Sequence, residues 1–299
     1  MKKFGAYILI LVTATVVIFY LLDAGYTYVY NNGAYRSKAM WVRDMKDLPK
    51  LDYIVLGSSR ANYFINPTVI EAQTGKMGLN LGVNASTGIE IFLMLDEFLK
   101  IRDVDTVFIQ VDSKYIQMNP DLVGEQAWIP FIYEPVKYEL FKDHGDEYIW
   151  CRYMPFYRYQ RSEARLGYRN VIPSLLGKGV SYKENSGYFP KSGVIKKERP
   201  YRADKPITQE NPYFKMMIEL CEEKNVPVIF FTAPIYGFKG DLKPLQKYLP
   251  NYYDLKESIT DRNLFSDQTH LNTQGATVFS RKFATLFFNN AKEESSSNP

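Results

Sequence analysis

The hydrophobic pattern opens with one long apolar run and continues as shorter runs of differing period. The first run, Phe4 to Leu22, carries no charge and follows two lysines. At the helical rise it extends about 28 Å, close to the hydrocarbon thickness of a bilayer. The lysines before it and Asp23 after it place the start in the cytoplasm and the rest outside. We predict a cytoplasmic tip and transmembrane anchor over residues 1–23, with a cleaved signal peptide as the alternative.

Beyond a predicted juxtamembrane linker over residues 24–50, short apolar strands alternate with capped helices. The strand-like runs occupy residues 52–57, 77–81, 106–111 and 226–231. Asn66 before a proline and Thr87 three residues before a glutamate are typical helix N-caps. Strands separated by helices of this length predict an α/β fold with a three-layer, doubly wound, flavodoxin-like and mainly parallel sheet.

The alternation is interrupted over about 113–206, where Pro, Tyr, Gly and Arg break every apolar run. We interpret this stretch as an irregular insertion within an α/β domain that covers residues 51–291. Three of its arginines recur at intervals of four: Arg161, Arg165 and Arg169. This spacing predicts one cationic helix face, either solvated or in contact with an anionic lipid or acidic glycan. The tail over 292–299 has a disordered composition.

Composition and charge narrow the classes of function. The chain has 37 basic and 33 acidic residues, a balance that gives no reason to expect a nucleic-acid partner. Two cysteines are too few for a disulfide framework, and a Cys151–Cys221 bridge stays open. The sequence contains no nucleotide loop or flavin fingerprint, so no cofactor is implied. One plausible histidine without clustered Cys or carboxylates predicts no metal site.

The sequence contains two histidines, His144 and His270, so a histidine-dependent mechanism has only two candidate bases. His144 lies in a polar, turn-like setting and is interpreted as a surface residue. His270 lies before the last predicted helix and three residues after Asp267, a spacing at which the carboxylate can fix the ring tautomer. Ser58 and Ser59 follow the first strand, at the sheet edge where α/β folds place their sites. A serine there needs a base to become nucleophilic, and His270 is the candidate.

Three groups of residues together resemble the SGNH/GDSL hydrolase superfamily, in its membrane-anchored acyltransferase and esterase branch. Gly57–Ser59 is similar to the Gly-Asp-Ser block, with Ser58 in place of Asp. Asn80–Asn84 is similar to the block whose glycine helps to form the oxyanion hole, and Asp267-x-x-His270 resembles the last block. Each group alone is an ordinary turn or cap, but their joint occurrence in the family's order favours a catalytic site. The family's Gly-x-Asn-Asp block is missing, since Val111–Ser113 follows the third strand.

The resemblance implies a Ser-His-Asp site. Its members are Ser59 as nucleophile, His270 as base and Asp267 as the partner of the base, with Ser58 as the alternative nucleophile. The implied oxyanion hole comprises Ser59 and Gly82, with Asn84 as the candidate substitute for the asparagine of the missing Gly-x-Asn-Asp block. We therefore expect acyl-ester chemistry through a serine acyl-enzyme.

The expected substrate is an acylated cell-surface glycan or a small ester, which the enzyme either hydrolyses or forms by O-acetylation. The expected partners are the lipid bilayer and a membrane-embedded acyl donor protein. The expected location is a membrane, crossed once, with the domain in the periplasm or outside the cell. The rival interpretation is a non-catalytic accessory or glycan-binding subunit that keeps the fold.

Overall fold

The computed structural model describes residues 2–45, 49–197 and 205–288. Contacts divide the chain into two compact units, residues 1–41 with 125–180 and residues 42–124 with 181–299. We call the first the N-terminal unit and the second the sheet unit. The predicted disordered tail lies outside the described residues.

Strands and helices are numbered separately along the chain. The strands are β1 (Leu51–Leu56), β2 (Gly78–Asn80), β3 (Val104–Gln110), β4 (Val228–Thr232), β5 (Tyr252–Asp254), β6 (Phe265–Asp267) and β7 (His270–Leu271). The helices are α1 (Lys2–Asn32), α2 (Lys38–Arg43), α3 (Ser59–Phe64), α4 (Pro67–Thr74), α5 (Gly88–Ile101), α6 (Pro135–Phe141), α7 (Asp146–Tyr153), α8 (Tyr157–Arg161), α9 (Glu163–Leu166), α10 (Tyr168–Leu175), α11 (Pro212–Glu223), α12 (Leu245–Tyr248) and α13 (Thr273–Phe288).

Five strands of the sheet unit form a parallel sheet in the order β2-β1-β3-β4-β5. This is the flavodoxin-like order, in which the chain reverses its direction of winding beside β1. Ile54 of β1 lies in register with Leu79 of β2 on one side and Val107 of β3 on the other. Helices cover both sides, which is why the strands read as nearly continuous apolar runs. The predicted doubly wound α/β fold is confirmed.

Alternate side chains of the strands build a core on each face of the sheet. Tyr53 and Phe108 belong to the cluster that includes α13, where the rings of Phe108 and Phe283 lie 4.8 Å apart between centroids. On β4, Phe230 packs against Phe214 of α11 at a centroid distance of 6.3 Å. Burial of each such side chain contributes about 1.5–3 kcal/mol to folding. The two cores fix the strand ends that carry the site.

Two helix caps predicted from the sequence, Asn66 and Thr87, are present in the sheet unit. Asn66 caps α4, because its side chain accepts the N–H two residues further on. Thr87 and Glu90 form the capping box at the start of α5. Asn211 caps α11 in the same way as Asn66 caps α4. These local signals therefore set the helix starts that follow the strands.

The N-terminal helix is longer than the apolar run that predicts it. α1 is long and apolar enough to cross a membrane, and its apolar window is exposed. The helix continues to Asn32 because Tyr26 and Tyr30 pack against Tyr159, at centroid distances of 5.2 and 5.7 Å. The segment predicted as a linker thus contains the end of α1 and all of α2.

The predicted insertion divides between the two units. Residues 125–180 group with α1 rather than with the sheet. The spaced arginines do not share a helix, since α8 ends at Arg161 while Arg165 and Arg169 lie in α9 and α10. The single cationic face predicted from their spacing therefore does not form. Arg161 instead pairs with the buried carboxylate of Glu125 at 2.7 Å.

Candidate active site

The turn after β1 places Ser59 at the start of a helix. Gly57 has a φ of +142°, a backbone conformation that favours glycine. The chain then enters α3, whose first residue is Ser59, and the carbonyl of Ser58 accepts the N–H of Asn62 at 3.1 Å. A strand, a sharp turn and a helix in this order are the local geometry of a nucleophile elbow.

Gly57→Ala is expected to destabilise the sheet unit by more than the roughly 1–3 kcal/mol of a strained backbone alone. A Cβ at Gly57 lies 2.7 Å from the Cβ of Gln110 and 3.1 Å from its carbonyl oxygen, so the backbone has to shift. Gly75→Ala is the matched control, because Gly75 also has a positive φ, +72°, but open space around it. Urea unfolding measures both. Equal losses of unfolding free energy would contradict the close packing of the turn.

A short hairpin holds the second half of the site. β6 and β7 pair antiparallel, with Asp267 opposite His270. In the turn between them, the N–H of Thr269 donates to Oδ1 of Asp267 at 2.9 Å and orients the carboxylate. Asn272 then accepts the N–H of Gly275 at 2.9 Å in the first turn of α13. The hairpin and the helix start together fix the position of His270.

Ser59, His270 and Asp267 form a continuous chain of side-chain contacts. The Oγ of Ser59 lies 2.7 Å from Nε2 of His270. Nδ1 of His270 lies 2.9 and 3.0 Å from the two carboxylate oxygens of Asp267. A proton on Nδ1, donated to the carboxylate, leaves Nε2 free to accept the serine O–H. The fold thus brings Ser59, from the first part of the sheet unit's sequence, into contact with His270 and Asp267, from its last part. Together the three side chains form one route for proton transfer.

Lys191 adds a positive charge beside this chain. Its Nζ lies 3.0 Å from Oδ2 of Asp267, 3.2 Å from Nδ1 of His270 and 5.1 Å from the ring centre of Tyr63. Burial would raise the pKa of Asp267, but His270, Lys191 and the N–H of Thr269 together lower it well below its ordinary value. Because its pKa is lowered, Asp267 stays ionised throughout the neutral range.

One face of α3 carries the groups next to Ser59. Asn62 and Tyr63 follow it by three and four residues, so they lie on the same side of the helix. Nδ2 of Asn62 donates to Oδ1 of Asn84 at 2.9 Å, and Nδ2 of Asn84 donates to the hydroxyl of Tyr63. The ring of Tyr63 meets the ring of His270 edge-on, at a centroid distance of 5.5 Å. Asn84 is thus held against the helix face that carries Ser59.

Gly82 packs against α3, and its N–H donates to Oδ1 of Asn80 at 3.0 Å. Nδ2 of Asn80 in turn donates to the carbonyls of Ala61 and Ile65 at 2.7 and 2.6 Å. A Cβ at Gly82 would lie 2.7 Å from the backbone nitrogen of Asn62. The buried Asn80 therefore ties the end of β2 to α3. The Gly82 N–H that the resemblance assigns to the oxyanion hole is engaged within the protein.

A buried polar network supports the turn on its inner side. The N–H and the hydroxyl of Ser58 donate to Oε1 of Gln110 at 3.2 and 2.9 Å. Nε2 of Gln110 donates to Asp112 at 2.8 Å, and Nη1 of Arg60 lies 3.3 Å from the same carboxylate. Burial would raise the pKa of Asp112, but Arg60 and the hydrogen bonds lower it. Asp112, which lies where the resemblance predicts a Gly-x-Asn-Asp block, is therefore the ionised partner of Arg60.

The predicted site residues come together only in part. Ser59, Asp267 and His270 are in contact, and Asn84 is held beside them. Gly82 lies close but has its N–H occupied. Cys151 and Cys221, whose pairing the sequence leaves open, are both buried and free, so they do not form a disulfide. Within residues 2–45, 49–197 and 205–288, no group of three or more His, Cys, Asp or Glu side chains is placed to hold a metal ion.

Several residues around the site were not identified from the sequence. These are Asn62, Tyr63, Gln110 and Lys191. Helical spacing after Ser59 is a signal that points to Asn62 and Tyr63. Lys191 has no such signal, because it lies in an irregular stretch between Pro190 and Gly193.

Comparison with known proteins yields distant structural likenesses. No family model matches the chain, and no curated protein matches it. A solved structure from Streptococcus pneumonia, described as a candidate platelet activating factor, aligns with 94% of this chain and 97% of its own, at 10% identity and a TM-score of 0.40. A structure from Desulfitobacterium hafniense, described as a candidate lipolytic protein of the G-D-S-L family, aligns with 79% and 99%, at 10% identity and a TM-score of 0.29. Evidence for function therefore comes from the residues of the site.

Proposed function

We propose that this chain is a serine-dependent acyl-ester enzyme of the SGNH type. One observation carries the proposal: Ser59 Oγ lies 2.7 Å from His270 Nε2, and His270 Nδ1 lies 2.9 Å from Asp267. These distances are within the reach that general-base activation of a nucleophile requires. The serine also follows a parallel strand at its C-terminal end, the edge at which doubly wound folds bind ligands.

In the proposed reaction, the Ser59 oxygen attacks the carbonyl carbon of a bound ester while Nε2 of His270 takes the hydroxyl proton. The tetrahedral intermediate collapses to an acyl ester on Ser59, and His270 returns the proton to the departing alkoxide, which leaves as an alcohol. Water or a sugar hydroxyl then attacks the acyl carbonyl carbon while Nε2 of His270 takes its proton. The bond between the acyl group and Oγ of Ser59 breaks, the carboxylic acid or the new sugar ester is released, and His270 returns the proton to Oγ of Ser59. The ionised Asp267 orients the ring and stabilises the imidazolium that forms in each step.

The oxyanion of the tetrahedral intermediate needs hydrogen-bond donors beside Ser59. We propose the backbone N–H of Ser59, at the start of α3, and the second Nδ2 hydrogen of Asn84 as these donors. The N–H of Gly82 joins them when it exchanges the side chain of Asn80 for the substrate oxygen. Such an exchange keeps the number of hydrogen bonds to Gly82 unchanged.

The proposed location is a membrane that α1 crosses once, with the rest of the chain outside the cytoplasm. The length and exposure of the apolar window support the span, and two lysines before the run support its orientation. The proposed substrate is an acylated cell-surface glycan or a small ester. A membrane-embedded acyl donor protein is the proposed partner when the acceptor is a sugar hydroxyl.

The proposal is tested by treating the full-length protein in detergent with a fluorophosphonate probe, which bonds covalently to activated serines. We expect one label per chain and turnover of p-nitrophenyl acetate, because Ser59 and its base are already in contact. Heat denaturation before labelling serves as the control and should remove both signals. A folded protein that neither labels nor turns over the ester at any pH from about 6 to 9 would favour the non-catalytic accessory function.

A further inference from the structure

The N-terminal unit carries a group of large apolar side chains that are exposed on and after α7. They are Ile149, Trp150, Tyr153 and Met154, which we call the α7 patch. Trp150 is 54% exposed and Tyr153 is 64% exposed. Single exposed apolar residues are ordinary, but a cluster of this size and aromatic content marks an interaction surface.

Contacts of Phe156 and Arg158 with α1 fix the position of the neighbouring α7 patch along the axis of that helix. The ring of Phe156 lies 6.3 Å from the ring of Phe19 and 5.0 Å from that of Tyr26, between centroids. The N–H of Phe156 donates to Asp23 at 2.9 Å, and Arg158 pairs with Asp23 at 2.6 Å. Phe19 belongs to the charge-free run, and Asp23 is the first charge after it. Phe156 therefore lies where the apolar run of α1 ends.

The α7 patch is tied to that level by short chain connections. Met154 is two residues before Phe156, so their Cα atoms are at most about 7 Å apart. The N–H of Met154 donates to the carbonyl of Trp150 at 2.9 Å, and its carbonyl accepts the N–H of Tyr157 at 3.3 Å. These bonds leave the patch little freedom to move along the axis of α1.

We propose that the α7 patch is inserted into the interfacial layer of the bilayer that α1 spans, as a second point of membrane attachment. The proposal rests on the membrane span proposed for α1. Trp and Tyr side chains favour the depth at which acyl chains meet headgroups, which is the depth that Asp23 marks. Arg152, whose guanidinium lies 4.5 Å from the ring centre of Tyr138 and 5.5 Å from that of Tyr153, supplies a cation for the lipid phosphates.

The proposal has a matched control on the same unit. Leu175 of α10 is 63% exposed, almost as much as Tyr153. Its neighbour Ser174 donates to the carbonyl of Ala34 at 2.7 Å, just beyond the end of α1. That point lies about 15 Å further along the helix axis than the end of the apolar run. Leu175 is therefore equally apolar and exposed but lies above the headgroups.

The experiment places an environment-sensitive NBD dye on single cysteines, Tyr153→Cys, Met154→Cys and Leu175→Cys, in the full-length protein. Burial raises the pKa of Cys151 to about 11 and of Cys221 to about 12, so the native thiols do not compete for the label.

Each labelled protein is reconstituted into phosphatidylcholine vesicles that contain a lipid with a nitroxide near the headgroup. We expect the nitroxide to quench the dye at positions 153 and 154 at least about twofold more strongly than the dye at 175, because an interfacial side chain lies within the lipid layer. Flotation of the vesicles measures the span of α1 separately. Protein that does not float contradicts the span. Protein that floats but shows equal quenching at all three positions overturns the insertion of the patch and leaves the span of α1 standing. The α7 patch would then be a contact surface for a protein partner.

Discussion

Replacing Ser59 by alanine is expected to remove fluorophosphonate labelling and to lower kcat/KM for p-nitrophenyl acetate by at least about three orders of magnitude. The reason is that the Ser59 hydroxyl lies 2.7 Å from Nε2 of His270. The Ser58 hydroxyl instead donates to the buried side chain of Gln110 at 2.9 Å. The geometry therefore favours Ser59 over Ser58 as the nucleophile.

Ser58→Ala is the matched control, because it removes a hydroxyl one residue away and leaves the contacts of Ser59 intact. Oε1 of Gln110 keeps the N–H of Ser58 as a donor, so the loss of one hydrogen bond should cost about 1 kcal/mol of unfolding free energy. Turnover by Ser58→Ala should stay within about tenfold of the unmodified protein, as expected for a supporting contact. Mass spectrometry of the phosphonyl adduct decides the site. An adduct on Ser58, or full labelling of Ser59→Ala, would overturn the assignment.

The arrangement of the sheet was predictable because its physical causes are local. Strands buried on both faces read as apolar runs, and the helices between them begin at caps such as Asn66 and Thr87. The extent of α1 was not predictable from hydropathy, since the helix continues on aromatic contacts of Tyr26 and Tyr30 with Tyr159. Such contacts join distant parts of the sequence, and no periodicity in either part encodes them.

The division of the irregular stretch has a similar cause. The ion pair of Arg158 with Asp23 and the hydroxyl contact of Tyr159 with Thr27 bring residues 125–180 to α1. Evenly spaced arginines predicted one helix face, but each arginine ended in a different short helix. Spacing is informative only where the helix is continuous, and the stretch contains residues that interrupt it.

The contacts among Ser59, Asp267 and His270 were predictable because each residue occupies a short motif at a strand end or hairpin. Lys191 and Gln110 were not, since each acts through a partner far away in the sequence. The N–H of Gly82 illustrates a further limit, because its engagement by Asn80 depends on how β2 packs against α3. A sequence motif can identify a hydrogen-bond donor such as the N–H of Gly82, but it does not show which acceptor that donor is bonded to in the folded protein.

His270→Ala is expected to lower kcat for ester turnover by about two to four orders of magnitude, the usual value of general-base assistance. Asp267→Asn should cause a loss of the same order, because an amide cannot hold the Nδ1–H tautomer or stabilise the imidazolium. Circular dichroism checks that the fold persists in both variants. A loss of less than about tenfold in either variant would contradict the proposed triad.

Lys191→Met tests how much the positive charge beside Asp267 contributes to turnover, apart from the hydrogen bonds that the Asp267 carboxylate accepts. Removing the ammonium 3.0 Å from Oδ2 should let the pKa of Asp267 rise toward its ordinary value. The carboxylate still keeps its bonds from His270 and Thr269, so it stays ionised at neutral pH. Turnover at pH 7 should therefore fall by less than about tenfold, in contrast with His270→Ala. A loss as large as that of His270→Ala would mean that Lys191, and not the carboxylate alone, holds the imidazole in its reactive position.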